Sequence, residues 1–199
     1  MSHNITVEVG NPVRLPTAGK YCDRDIIVRA TVATEDFNLA RSILDRTITE
    51  YVDNKITTVG NYGFIKCSKL VNVEIPNITG LGRNAFSQCI SLKRIELPNL
   101  ITLGEDCFIY CNSLEYVDVG KVTSLPSWSL SNCNVLKTVV IRKTDAIATM
   151  VVTNAFSNTP IASGTGYVYV PDSLVNSYKT ATNWSTYANQ IKPLSELGS

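Results

Sequence analysis

Cysteines and carboxylates are the residues here whose spacing invites chemistry. Cys67, Cys89, Cys111 and Cys133 recur every 22 residues, and Glu74, Glu96 and Asp118 recur at the same interval. Four thiols could hold a zinc ion, pair as disulfides or serve as nucleophiles. Acids about 5 Å apart on neighbouring rungs would suit a retaining glycosidase or a weak cation site. A third set is aromatic: Tyr167, Tyr169, Tyr178, Trp184 and Tyr187 crowd the C-terminal region, where they could meet a sugar or a protein. The single histidine is His3, which removes histidine-based triads and metal sites. No phosphate loop, dinucleotide fingerprint, metalloprotease motif or nucleophile elbow is present, so no cofactor is expected.

The shared interval says more than either residue type. Residues 56–77 read ITTVGNYGFIKCSKLVNVEIPN, 78–99 read ITGLGRNAFSQCISLKRIELPN, 100–121 read LITLGEDCFIYCNSLEYVDVGK, and 122–143 read VTSLPSWSLSNCNVLKTVVIRK. A unit of this length with leucine-type spacing is a leucine-rich repeat, one strand and one return segment per coil. The pairs Val73 and Ile75, Ile95 and Leu97, Val117 and Val119, and Val139 and Ile141 alternate with period two, so they face inward along a strand. Pro76 and Pro98 end the strand, Gly60, Gly82 and Gly104 occupy a turn column, and Gly63, Ala85, Cys107 and Ser129 share a column of small side chains. Twenty-two residues earlier, Ile48 and Tyr51 fall in the Leu70 and Val73 columns, which predicts a further strand over 47–52. Later, Asn154, Ala155 and Phe156 restore the frame after an insertion of four residues, and Val168, Tyr169, Val170 and Pro171 restore the strand.

The expected fold is a leucine-rich repeat solenoid, a right-handed superhelix of β-α type with one short strand per coil. Residues 1–33 form a small β-rich arm or module, with strands at 5–9 and 25–32 around a turn-rich 11–20. Residues 34–55 form an N-terminal cap and partial repeat, with a helix starting at Thr34 or Asp36 and carrying Phe37, Ala40 and Leu44. The four repeats fill 56–143, an irregular repeat 144–171, and a helical cap 172–199. Solenoid ends must be covered. Asp172 or Ser173 is the expected helix cap, with Leu174, Val175 and Tyr178 on one face and Trp184, Tyr187, Ala188 and Ile191 in a second stripe.

This frame reassigns the candidate chemistry. Equivalent residues stack about 4.8 Å apart, so the four thiols form a line, which is not a tetrahedron, and the ladder reads as core packing. Cys22 has no partner in the frame. The outward row Glu74, Glu96, Asp118, Val140 and Tyr169, beside Asn72, Arg94, Tyr116 and Thr138, reads as a mixed-charge contact strip or a solvated sheet face. Like charges on adjacent rungs repel, and catalysis would need a pocket that splits two carboxylate pKa values. The aromatics fall mostly at helix spacing and read as cap packing, Tyr169 excepted. Asn4, Asn77 and Asn183 match the glycosylation sequon, with Asn77 in a repeat turn column.

Apolar content of 44% marks a globular chain, and a net charge of +1 makes no case for nucleic acid or anionic membrane. No apolar run approaches the roughly 20 residues of a membrane span. The first residues lack the basic and apolar regions of a secretory signal, which implies a virion-associated or cytoplasmic protein, with the cell surface as the alternative.

The frame L-x-x-I-x-I-P followed by I-x-x-I-G-x-x-A-F-x-x-C resembles the BspA-like leucine-rich repeat family across 56–143 and, less regularly, 144–171. The tail from Asn154 through Tyr187 is similar to the terminal unit of such proteins in gut Firmicutes and their prophages. The segment from Leu15 to Val28 resembles one in phage tail-associated proteins. The resemblance implies a non-enzymatic module that binds a protein or surface glycan, and the strand alternation offers Asn72, Glu74, Arg94, Glu96, Tyr116, Asp118 and Tyr169 as its strand-face contacts. It transfers no catalytic residue. A phage structural protein docking through residues 1–33 is the alternative, and a glycan-active enzyme using the carboxylate row is the last.

Overall fold

A computed structural model describes residues 27–28 and 48–198. The strand at 5–9, the turn at 11–20, the helix begun at Thr34 or Asp36, His3, Asn4 and Cys22 lie outside the described residues. In chain order the strands are β1 (Ile27–Val28), β2 (Glu50–Val52), β3 (Thr58–Val59), β4 (Asn72–Glu74), β5 (Gly80–Leu81), β6 (Arg94–Glu96), β7 (Tyr116–Asp118), β8 (Ser124–Leu125), β9 (Thr138–Val140), β10 (Thr149–Met150), β11 (Tyr167–Val170) and β12 (Ile191–Pro193). Every pairing is parallel, as coils stacked in one direction require.

Each coil lays one residue triplet on the main face. β1, β2 and β4 form one sheet there, and β6, β7, β9, β11 and β12 form the next, in that order. The expected further strand is present: Tyr51 pairs with Val73 and Glu50 with Asn72. A second, shorter ladder runs along another side of the coil, where β3 pairs with β5, Gly80 bridges to Thr102, and β8 pairs with β10. The insertion of four also shows in the hydrogen bonds. Phe108 N–H donates to Ser129, 21 residues on, whereas Leu130 N–H donates to Ala155, 25 residues on.

The return segments are not helices, which corrects the β-α expectation. They are turns whose donors alternate. Tyr62, Phe64 and Lys66 N–H groups donate to the next coil at Arg83, Ala85 and Ser87, while Gly63, Ile65 and Cys67 donate three residues back within their own coil. This path needs left-handed backbone twice per coil, at Tyr62 and Lys66, Asn84 and Gln88, Asp106 and Tyr110, and Trp128 and Asn132. A continuous α-helix would send every N–H along its own axis and leave none for the neighbouring coil.

The core is a set of columns. Phe64, Phe86 and Phe108 stack with centroids 4.8 and 5.5 Å apart, and Tyr51 meets Phe64 edge-on at 4.9 Å. The cysteine ladder is buried, and it does more than fill space. The thiols of Cys89, Cys111 and Cys133 each donate to the carbonyl of Phe64, Phe86 or Phe108 in the preceding coil, at 3.1 Å. A thiol is a small apolar group with a weak donor, which suits a buried carbonyl that already accepts a backbone bond. Burial pushes all three thiols upward, Cys133 to about 12.

Two expectations need correction here. Gly82 and Gly104 are not required for a left-handed turn; they are required because coils approach there. A Cβ on Gly104 would lie 2.3 Å from the Gly82 carbonyl carbon. Within the four repeats the left-handed glycine is Gly120, in the column that holds Pro76 and Pro98 in earlier coils. The C-terminal cap is only partly helical. A 3-10 turn at Asp172–Leu174 leads into α1 (Val175–Thr180), and a kinked 3-10 segment covers Trp184–Gln190. Pro171 takes the cap position, and Asp172 instead accepts the Ser195 N–H at 3.1 Å. Ile191 leaves the helical stripe and pairs with Val168 in β12. The cap binds the irregular coil through aromatic tips: Trp184 Nε1 donates to Ala148 O at 2.7 Å, Tyr187 O–H donates to Thr153 O at 2.5 Å, and Tyr178 Oη accepts the Ala148 N–H at 2.7 Å.

Close approach makes glycine substitutions unequal. Gly104→Ala should destabilise the fold by about 3 kcal/mol, because backbone must move. Gly80→Ala should change stability little, since its Cβ meets only Thr58 Cγ2 at 3.4 Å. Urea unfolding of both variants checks this, and equal losses would contradict it. The thiols give a second expectation. Each raised folded-state pKa contributes stability that is complete below the unfolded value near 9 and is lost as pH rises toward the folded value, about 12 for Cys133. Between pH about 9 and its folded-state value, each of these three raised thiols should therefore lower stability by about 1.4 kcal/mol per pH unit. Ladder thiols should resist a disulfide reagent until the protein unfolds; fast reaction in the folded state would contradict the buried ladder.

Candidate functional site

Alternation along the main strands turns every second side chain outward. Two outward rows result. The first holds Glu50, Asn72, Arg94, Tyr116, Thr138 and Tyr167; the second holds Val52, Glu74, Glu96, Asp118, Val140, Tyr169 and Lys192. The structure thus brings the seven sequence-predicted contacts onto one face, and their surroundings divide it into zones.

The first zone is acidic. Asn72 Nδ2 donates to Glu50 Oε1 at 2.9 Å and to Glu74 Oε1 at 3.1 Å, so a neutral amide holds two carboxylates together. Next comes a stacked ion pair. Arg94 places Nε and Nη2 on Glu96 Oε1 at 2.8 and 2.6 Å, and its guanidinium carbon lies 3.5 Å from the centroid of the Tyr116 ring. Burial, then the nearby Asp118 charge, pushes the Tyr116 phenol above its usual range.

Asp118 overturns an expectation. Its position on the outer row predicts a solvent-facing acid, but its side chain is 1% exposed. Oδ1 accepts the Gly120 N–H at 2.8 Å, and Oδ2 pairs with Arg142 Nε at 2.5 Å. Arg142 arrives from the next coil, in the column of Pro76 and Pro98, and closes over the carboxylate. Burial works against the Arg142 charge, but the Asp118 hydrogen bond and charge outweigh it and raise the guanidinium pKa. Asp118 is therefore a brace within the face and not a contact. Val140, one rung on, is also buried.

The last zone is aromatic. Tyr167 joins Tyr169 on the outer face, so it is not cap packing; their rings are 6.5 Å apart at 64°. Lys192 Nζ lies 5.6 Å from the Tyr167 centroid and 3.0 Å from Glu196 Oε2. Tyr178, Trp184 and Tyr187 are buried in the cap, as their spacing implies.

Sequence reasoning missed Glu50, Arg142 and Lys192. Stepping 22 residues back from Asn72 reaches Glu50, so that signal was available. Arg142 and Lys192 had none, because one sits in a proline column and the other follows a stripe of helical spacing.

The face offers no acid pair for glycoside cleavage at Glu96 and Asp118, since both Asp118 oxygens are engaged and buried. A cleft of about 340 Å³ is lined by Ile101, Lys121, Thr123, Arg142, Lys143 and Asp145, among others, and includes neither Glu74 nor Glu96. Among the described residues no three of His, Cys, Asp and Glu converge as metal ligands, and no helix is long and apolar enough to cross a membrane. Two sequon asparagines hold backbone instead: Asn77 Nδ2 donates to Asn54 O, and Asn183 Nδ2 donates to Met150 O and Val151 O.

The brace can be tested. Arg142→Ala leaves a buried, unpaired carboxylate and should cost about 2 kcal/mol, discounted for the 40% exposure of the arginine. Asp118→Asn keeps an acceptor for Gly120 and should cost less than half as much in the same urea unfolding. Equal losses would assign the brace to packing alone.

A model of the BspA type leucine rich repeat region matches residues 46–173 in six copies. A leucine-rich repeat protein of T. pallidum is similar at 19% identity and TM-score 0.44, over 65% of this chain and 68% of that one. A leucine-rich repeat protein of Bacteroides ovatus is similar at 20% identity and TM-score 0.37, over 83% of this chain; the match spans about half, 47%, of that protein. No curated protein sequence matches. With the six-copy match covering more than half of its 199 residues, the chain belongs to the BspA type leucine-rich repeat family.

Proposed function

We propose that this protein is a non-enzymatic recognition module whose main strand face binds a partner protein. The observation that carries this is the open double row from Glu50 to Lys192, a set of unlike side chains held in fixed register on parallel strands. Repeat surfaces of this kind suit extended partners. The composition supports a protein: tyrosine and arginine are enriched at interface hot spots, and Arg94, Tyr116, Tyr167 and Tyr169 lie at the centre and C-terminal end of the face. We place the partner on a cell surface, by the family resemblance of the repeats, with a phage tail as a setting suggested by the segment from Leu15 to Val28.

Protein-coated beads incubated with intact bacteria and with host extracellular matrix test this by cytometry. A face variant carrying Glu74→Gln, Glu96→Gln and Tyr169→Ser should bind at least about ten-fold less, as expected when hot-spot residues are lost. A return-edge variant carrying Lys66→Ala and Gln88→Ala should bind as the parent does, and both should melt normally. Undiminished binding by the face variant would sink the strand-face reading.

A further inference from the structure

The charge and ring arrangement on this face points to the chemistry of the partner. We infer that the strand face takes an extended protein segment carrying arginine or lysine at two positions, one over Glu50 and Glu74 and one over Tyr169. This rests on the strand-face reading above and goes further by naming the partner's charge and spacing.

Three observations converge. First, among the described residues the cations of the two outward rows, and Arg142 beside them, are neutralised from within: Arg94 by Glu96 at 2.6 Å, Arg142 by Asp118 at 2.5 Å, and Lys192 by Glu196 at 3.0 Å. Glu50 and Glu74 differ. Their shared partner is the neutral Asn72 amide, and among the described residues no cation pairs with either. Two like charges on neighbouring rungs repel, so an arriving cation relieves a strain that the free protein carries. Lys93 and Lys137 stand just ahead of β6 and β9, at the strand starts, with Glu115 in the same column between them.

Second, the rings accept cations in this geometry. Arg94 lies on Tyr116 at 3.5 Å, and Lys192 lies 5.6 Å from Tyr167. Tyr169 is half-buried, with Tyr167 as a ring neighbour and Lys192 beside it on the next strand, but among the described residues no cation lies over its ring. A guanidinium stacks on such a face better than an ammonium does.

Third, the spacing selects an extended chain. Glu74 and Tyr169 share one row and are separated by four strand spacings, about 19 Å at roughly 4.8 Å each. An extended peptide rises about 3.3 Å per residue, so the two basic residues should be about six apart. Anionic partners such as nucleic acid or sulfated glycan would meet unpaired carboxylates and, among the described residues of the two outward rows, no unpaired cation.

The test uses the full chain and a Gly-Ser peptide with arginines about six residues apart, followed by NMR titration at low and physiological salt. Its counterpart carries glutamates at the same positions, and a third places the arginines two apart. The wide arginine peptide should bind at least about five-fold more tightly than either. Glu50→Gln with Glu74→Gln should remove most of that preference, and Tyr169→Leu should weaken arginine more than a lysine version. Glu105→Gln, which removes a single charge on the return side, should have no effect. The inference is overturned if the glutamate peptide binds as well, if the face variants bind unchanged, or if Glu105→Gln costs as much as they do. If the face variant loses cell or matrix binding while the peptides show no preference, the partner chemistry fails and the strand-face reading stands.

Discussion

The hydrogen bonds that carry each return segment onto the next coil are the constraint on which the rest of the molecule depends. Alternate donors leave the coil at Tyr62, Phe64 and Lys66 and turn back into it at Gly63, Ile65 and Cys67. That alternation gives each of these amides a partner, and an amide buried without one would be expensive. It also dictates the left-handed residues, the small column at Ala85 and Cys107, and the close pass at Gly82 and Gly104. The cysteine thiol fits the same scheme, because it closes on a phenylalanine carbonyl in the preceding coil that already accepts an N–H from within that coil.

A backbone held this tightly makes the outer face a fixed array. Side chains there do not need to be ordered by a partner, since neighbours already order them: Asn72 bridges two glutamates, and Arg94 lies flat between Glu96 and Tyr116. The entropic cost of binding is reduced accordingly. Asp118 and Arg142 show the other use of a polar pair. Their contact joins consecutive coils beneath the surface, so charge there contributes to register rather than to recognition.

The architecture was legible because its signal repeats. Four copies of one frame located the strands, the inward pairs and the buried thiols, and the 22-residue step found the strand at Tyr51. Conformation within the return segment was not legible. Tyr62 and Trp128 have no local preference for left-handed backbone, and they adopt it because the inter-coil hydrogen bonds demand it. The face was half legible. Alternation predicts which side chains point outward, but it does not see a side chain from the next coil. Asp118 was misread for that reason: the residue that buries it is 24 positions away, in a column whose other members are prolines and a glycine. Ile191 was misread because a strand at the end of a repeat array inherits its partner from the array, while its own sequence suggests a helix face.

A repeat also separates constraint from freedom. Inward positions keep one chemical type from coil to coil, as Val73, Ile95, Val117 and Val139 do, because packing fixes their volume. The row beside them changes at nearly every rung, from Glu74 and Glu96 through the buried Asp118 and Val140 to Tyr169 and Lys192. Packing alone does not require that change, since the backbone beneath is the same. Variation on an invariant scaffold is what a specificity surface needs, and here it runs from unpaired negative charge to open aromatic rings. The cysteines, which repeat faithfully, carry the coil; the outer row, which does not, is where the proposed recognition would have to reside.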